Sequence, residues 1–179
     1  YVGGSGASLR PKGIVMNIIT LDFESFYTDQ KDERGTPYTL SHMTTEEYIR
    51  HPWFEAHGCA IRLPTATSTL SPQTFWVPRE QLKNQFALID WSNSVVLCHH
   101  SQFDGLILSH HFGIRPKNWL CTLSMARLLL GNHLSVSLDA VRKHFGIPLK
   151  TTPYNLFKGK RWAELSPATR QLVGAGACD

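Results

Sequence analysis

The chain has 179 residues, of which 42% are hydrophobic, enough for one buried core and too few for two domains of ordinary size. Its 18 Lys and Arg against 14 Asp and Glu leave a net charge of +4, which tolerates a polyanionic partner but is too small to indicate one. The sequence contains no apolar run of about 18 residues, no secretory signal pattern and no paired cysteine spacing. We therefore expect a soluble intracellular protein that does not bind a membrane, with its four cysteines as free thiols.

The order of predicted elements indicates an α/β fold with a central mixed sheet flanked by helices. Residues 1–15 are rich in Gly and Ser and are expected to be a tag, linker or other flexible leader, with one domain over 16–179. A capping-box pattern, Thr44 followed by Glu47, predicts the start of a short helix. Apolar runs predict strands at 16–24, 57–63, 74–77 and 94–98, the second and third as a hairpin, and periodicity predicts helices at 79–89, 104–112, 122–130, 137–145 and 166 to the end.

The first strand ends with two carboxylates spaced one residue apart, Asp22 and Glu24. Residues i and i+2 of an extended strand point to the same side, so these two side chains are predicted to converge. Two carboxylates brought together need a cation. The alternative is that Asp22 only caps a turn.

A third acid, Asp104, follows the strand at 94–98 and opens a helical pattern. If the two strands are neighbours in one sheet, Asp104 can face the pair formed by Asp22 and Glu24. Three hard oxygen ligands on a rigid frame suit Mg²⁺ or Mn²⁺. The alternative for Asp104 alone is an N-cap of a helix that starts near Gly105. The two motifs together favour a metal site.

The ordered series of these motifs resembles the DEDD (DnaQ-like) 3′-to-5′ exonuclease superfamily of the ribonuclease-H-like fold. Within it, the chain is most similar to the exonuclease domains of phage-type family A DNA polymerases. The first motif matches Asp22 and Glu24, and the second matches Asp104 after Phe103. The segments 113–127 and 137–146 and the later Lys150 also resemble the family, so the likeness covers residues 16–179.

The resemblance implies a two-metal site for Mg²⁺ or Mn²⁺ with Asp179 as the fourth carboxylate. Asp22 is then expected to bridge both ions, Glu24 and Asp179 to hold the first, and Asp104 to hold the second partly through water. The family has Tyr or His four residues before the last aspartate, where this chain has Ala175. Because that side chain orients or deprotonates the attacking water, we expect a slow or silent enzyme, with the domain truncated at its C-terminal end.

Four further residues are candidate substrate contacts. Phe23 and Phe103 flank the acids and could stack on a terminal base, with core packing as the alternative. His100 stands where the family's second motif has Asn, which contacts the substrate or holds local structure. Lys150 begins a basic stretch that could contact phosphate, with a solvated loop as the alternative.

The function implied is hydrolysis of DNA phosphodiester bonds from the 3′ end of a single strand, of the proofreading type that serves DNA replication. The resemblance also implies a DNA polymerase domain as partner in the parent protein, and the cytoplasm of a bacterial or phage-infected cell as its location. Two alternatives stay open: an impaired exonuclease-like module that binds nucleic acid without cleaving it, and an exoribonuclease of the same superfamily acting on RNA.

Overall fold

A single five-stranded sheet organises the chain. The computed structural model describes residues 17–64, 74–131, 133–149 and 154–178; the expected leader at 1–15 lies outside them, as do Lys150 and Asp179. The strands are β1 (Asn17–Ser25), β2 (Ala56–Arg62), β3 (Thr74–Pro78), β4 (Ser94–Cys98) and β5 (Asn118–Cys121). They are ordered β3-β2-β1-β4-β5, so β1 lies at the centre.

Strand directions confirm the predicted mixed sheet. β1 pairs antiparallel with β2, and β2 pairs antiparallel with β3, as expected for the predicted hairpin. β1 pairs parallel with β4, and β4 pairs parallel with β5. The pairing of β1 with β4 runs from Asn17–Ser94 only to Thr20–Leu97, so the second half of β1 continues beyond the end of β4.

The helices agree with the predicted pattern, except that one of them begins earlier than predicted. They are α1 (Thr45–Arg50), α2 (Leu82–Ala87), α3 (Ser101–Phe112), α4 (Thr122–Leu130), α5 (Leu138–His144) and α6 (Pro167–Cys178). α3 begins at Ser101, three residues before the predicted start at Asp104. The short strand β5 was not predicted, because four residues are too few for a period-2 pattern and its extended shape depends on pairing with β4.

The main core lies on one face of the sheet. Alternate residues of β1, Ile19, Leu21 and Phe23, are buried there, and they belong to the same cluster as Phe86 of α2 and Ile107 of α3. This alternation follows from the period of two in a strand. The intervening residues of β1, including Asp22 and Glu24, consequently face the other side.

A second, smaller cluster seats α6 against the sheet. Phe157, Trp162, Leu165 and Val173 are buried together, with Trp76 of β3 packed against them. Gly174 lies so close to Trp76 that an added Cβ would come within 2.8 Å of the indole Cγ. This close approach brings the C-terminal end of α6 over β1.

All four cysteines are free thiols, as the sequence predicts. No helix in the described part of the chain has the length and apolar character needed to cross a membrane.

Candidate active site

Asp22 and Glu24 lie on the same face of β1, as the i, i+2 spacing predicts. Their partners across the β1–β2 ladder are small: Asp22 is opposite Ala60 and Glu24 is opposite Gly58. Both carboxylates are half-buried, and the strand continues to Ser25. The alternative that Asp22 caps a turn is therefore wrong.

Asp104 lies in the first turn of α3 and is only 2% exposed. The backbone N–H of Phe23 donates a hydrogen bond to its Oδ1 at 3.2 Å. That N–H lies beyond the last β1–β4 pair, so the carboxylate takes the place that a longer β4 would occupy. The N-cap alternative is wrong for Asp104, because the residue that precedes the helix is His100.

The environment of Asp104 favours its neutral form. Burial raises the pKa of this carboxyl well above its ordinary value, and the negative charge of Asp22 raises the pKa further. Hydrogen bonds from the Phe23 N–H and the Cys98 thiol oppose the shift without cancelling it. A buried carboxyl coupled to a like charge marks a functional-site candidate.

Asp22 opens onto a cavity of about 340 Å³ between the sheet and the C-terminal helices. Its other polar and charged lining residues are Thr20, Arg62, Thr74, Cys98, His99, Thr122, Arg142 and Cys178. His99 is held in this wall by a 2.9 Å hydrogen bond between its Nδ1 and Thr122 Oγ1.

Arg142 and His99 line this cavity but were not predicted from the sequence. Leu138 and Arg142 are spaced i, i+4 on α5 and therefore share a helix face, which is the one signal the sequence offered. Nothing in the sequence indicates that this face covers β1. His99 directly follows the buried strand β4, and this position is the signal that the sequence offered for a residue of the site.

Glu24 opens onto a different cavity, of about 280 Å³, which is lined largely by aromatic side chains. Phe103 lies in its wall together with Tyr27, Tyr48 and Tyr154. Asp22 and Glu24 thus share a face of β1 but line two different cavities, whereas the i, i+2 spacing predicts that they converge on one point.

The predicted stacking role does not fit Phe23. Its side chain is 4% exposed, and its ring packs on Phe86 and Phe112 with centroid distances of 6.0 and 6.2 Å. Phe23 therefore packs in the core, as the alternative predicts, although it also contributes to the wall of the Glu24 cavity. Phe103 is half-buried in the same wall.

His100 has a structural position at the start of α3. Its backbone is left-handed, with φ 77° and ψ 62°, which is uncommon for a residue with a side chain. This turn lets the chain leave β4 and enter α3, so it fits the alternative of holding local structure. On α6, Ala175 is exposed, and Ala177 and Cys178 are the residues that reach the Asp22 cavity.

The donor chemistry around Asp22 and Asp104 fits a hard divalent cation. The described residues contain no cluster of three or more His, Cys, Asp or Glu side chains arranged to hold a metal ion. Magnesium, however, is commonly bound through one or two carboxylates, with water and substrate phosphate completing its shell. A cation held by Asp22 and Asp104 would also offset the repulsion from Asp22, which contributes to the raised pKa of Asp104.

Comparison with known proteins shows similarity at the level of the fold. No family model matches the chain, and no curated protein matches it. The structure of Brucella melitensis NrnC superposes with a TM-score of 0.54 at 14% identity, covering 92% of this chain and 69% of NrnC. The structures of NrnC with bound Mg²⁺ and of NrnC bound to pGG each give a TM-score of 0.53 at 14% identity, covering 92% of this chain and 68% of theirs. The similarity confirms the predicted ribonuclease-H-like α/β fold.

Proposed function

We propose that this chain is a divalent-metal-dependent nuclease domain that hydrolyses DNA from the 3′ end. The observation that carries the proposal is the buried Asp104, which is held by the backbone of β1 and feels the charge of Asp22; Asp22 in turn lines an open cavity. Burying a carboxyl beside a like charge costs free energy, and such an arrangement is typical of a functional site.

The hydrogen bond from β1 fixes the orientation of the Asp104 carboxylate. Because Phe23 N–H holds one oxygen of Asp104, the central strand fixes where this carboxyl points. Asp22 and Asp104 are the residues that would hold a metal ion. When bound, a divalent ion would supply neutralisation of phosphate charge and activation of water.

Arg142 is suited to hold the phosphate of the substrate. It lies on α5 in the same cavity wall as Asp22, with its Nε donating to the Pro148 carbonyl. A planar guanidinium binds phosphate oxygens well because its donors are held in a fixed geometry. The aromatic walls beside Glu24 would receive a base of the strand by stacking.

The comparisons support a nucleotide substrate and a divalent ion, because the fold is shared with a protein seen with Mg²⁺ and with pGG. Only the sequence resemblance supports the 3′-to-5′ direction of cleavage and a proofreading role beside a polymerase. They predict faster cleavage at unpaired or mismatched 3′ ends than at paired ends.

The test is cleavage of a 5′-labelled single-stranded DNA with Mn²⁺ and with Mg²⁺. We expect stepwise shortening from the 3′ end that is lost in the Asp22→Ala/Glu24→Ala variant. Glu80→Ala is the matched control, since Glu80 is an exposed acid just after β3. Metal binding is measured separately, as a rise in Tm on addition of Mn²⁺. At a free Mn²⁺ concentration of 100 times Kd, binding should raise the free energy of unfolding by about 2.7 kcal/mol. Absence of both shortening and a Tm shift would refute the proposal.

A second candidate function is nucleic-acid binding without cleavage, which Ala175 favours. This residue is exposed on α6 and carries no group that accepts a proton. Loss of a general base typically slows a reaction about 10²- to 10⁴-fold. DNA binding supported by Ca²⁺, with no cleavage in Mn²⁺ over long incubation, would identify this function. A matched RNA strand in the same assay separates the exoribonuclease alternative.

A further inference from the structure

Two cysteines lie directly opposite each other at the ends of neighbouring strands. Cys98 ends β4, Cys121 ends β5, and the two are register partners in the parallel ladder. Adjacent strands are about 4.8 Å apart, which falls within the Cα–Cα range of about 4.4–6.8 Å found in disulfides. Directly opposite residues project to the same side of a sheet, so the two side chains are neighbours on one face.

Cys121 lies in an environment that stabilises a thiolate. The first backbone N–H of α3, from Ser101, donates to its Sγ at 3.4 Å. Cys121 is also the residue that precedes α4, so the positive ends of two helices converge on one sulfur. Burial raises the pKa of Cys121, but hydrogen bonds from Ser124 and Ser101 outweigh it and lower the pKa to about 6.

The two thiols differ in access. Cys121 is half-buried on β5, which is an edge strand of the sheet, whereas Cys98 is 2% exposed. Burial and the charge of Asp104 raise the pKa of Cys98, so Cys98 stays a thiol until it reacts. A small oxidant in solution therefore meets Cys121 first. Reactive cysteines have this combination of thiolate stabilisation and partial exposure.

We propose that Cys121 is a site of oxidation by hydroperoxides and that Cys98 resolves it as an intramolecular disulfide. The Cys121 sulfur attacks the terminal peroxide oxygen, the O–O bond breaks, and the leaving oxygen takes a proton, giving a sulfenic acid and water or an alcohol. The Cys98 sulfur then attacks the Cys121 sulfur. The S–O bond breaks, and hydroxide leaves with the Cys98 proton as water, so two thiols are oxidised as one peroxide is reduced.

Formation of the disulfide would change a contact of the candidate active site. The Cys98 thiol donates a hydrogen bond to Asp104, and the oxidised sulfur has no proton to donate. Any effect on cleavage rests on the proposed nuclease function. The thiol chemistry itself does not, and it is measured without an activity assay.

The test treats the reduced chain with hydrogen peroxide and maps its thiols by mass spectrometry. Trypsin separates Cys98, in peptide 84–117, from Cys121, in peptide 118–127. We expect these two peptides to become linked with the loss of two hydrogen atoms, and to separate again on reduction. In Cys98→Ser, the sulfenic acid on Cys121 should accumulate and be trapped by dimedone.

Cys178→Ser is the matched control, because Cys178 is also half-buried and the linked peptides should form without it. In the untreated protein at pH 7, iodoacetamide should modify Cys121 roughly tenfold faster than Cys178. Oxidation of wild-type protein that leaves Cys121 unmodified, or that links it to Cys59 or Cys178, would overturn the proposal whether or not Cys98→Ser folds.

Discussion

At the scale of one residue, the charged form of Asp104 lowers the free energy of unfolding of the metal-free protein. The carboxyl is buried next to Asp22, and burial is the main reason why its pKa is raised. A raised pKa means that the folded protein binds the proton more tightly than the unfolded chain does. The contribution of Asp104 to stability is therefore fully present below the pKa of the unfolded chain, near 3.9, and is lost as the pH rises through the folded-state pKa.

Asp104→Asn should stabilise the metal-free protein at pH 8 while removing metal-dependent cleavage. The amide oxygen still accepts from Phe23 N–H, and the buried charge is gone. We expect a gain of about 1–2 kcal/mol, which is typical when a strained functional site is relieved. Urea unfolding in EDTA at pH 5 and pH 8 measures the gain, which should be larger at pH 8.

Glu80→Gln is the control, because Glu80 is an exposed acid just after β3. A loss of stability in Asp104→Asn that is equal at both pH values would show that the hydrogen bonds of Asp104, and not its charge, dominate.

At the scale of elements, α1 shows how a six-residue helix is made stable by its cap and its packing. Thr44 Oγ1 accepts from Glu47 N–H at 3.2 Å, and Glu47 Oε2 accepts from Thr44 N–H at 2.9 Å, as the capping-box pattern predicts. The helix buries Tyr48, whose ring stacks on Tyr38 with a centroid distance of 4.6 Å. Tyr48 also lies in the wall of the Glu24 cavity, so this cap supports the candidate site.

Thr44→Ala should destabilise the protein by about 1 kcal/mol, since the first turn of α1 loses a side-chain acceptor. Thr45→Ala is the matched control, because Thr45 is the first helical residue and has no capping role. Urea unfolding at one pH measures both variants. Equal effects of the two changes would mean that α1 depends on its buried side chains and not on its cap.

At the scale of the whole molecule, His57 links β2 to the second core cluster. A bulge between the Glu24–Gly58 and Ser25–Ala56 pairs leaves His57 outside the ladder. Its ring is fully buried beside Phe157 and Trp162, and neither ring nitrogen has a hydrogen-bond partner among the described residues. Burial lowers the pKa of His57 from 6.5 to about 4, although Glu55, 3.8 Å away, acts in the opposite direction.

The lowered pKa predicts loss of stability in mild acid. Between pH 6.5 and 4 the unfolded chain binds a proton on His57 and the folded protein does not. The contribution of the neutral His57 to the free energy of unfolding is therefore fully present above pH 6.5 and is lost as the pH falls towards 4. His57→Phe removes it, and wild-type protein should lose about 3 kcal/mol relative to this variant at the acid limit. Unfolding in urea from pH 7.5 to 4 measures the difference, and parallel curves for the two proteins would contradict it.

Most of the helices and strands follow from local patterns in the sequence. The apolar runs predict four of the five strands, and the Thr44–Glu47 spacing predicts the first helix. These predictions hold because hydrophobic period and capping act within a few residues. β5 and the start of α3 were missed, since the first depends on pairing with β4 and the second on the left-handed turn at His100.

The candidate site divides in the same way. The sequence by itself determined that Asp22 and Glu24 share one face of a strand and that Asp104 follows another, because these relations depend on local backbone geometry. Only the tertiary structure decided that β4 stops short beside β1, so that Asp104 completes the ladder at Phe23. It also decided that α5 brings Arg142 into the wall of the cavity that Asp22 lines, and that Glu24 faces a separate aromatic cavity. These relations depend on how distant segments pack, and no local pattern encodes them.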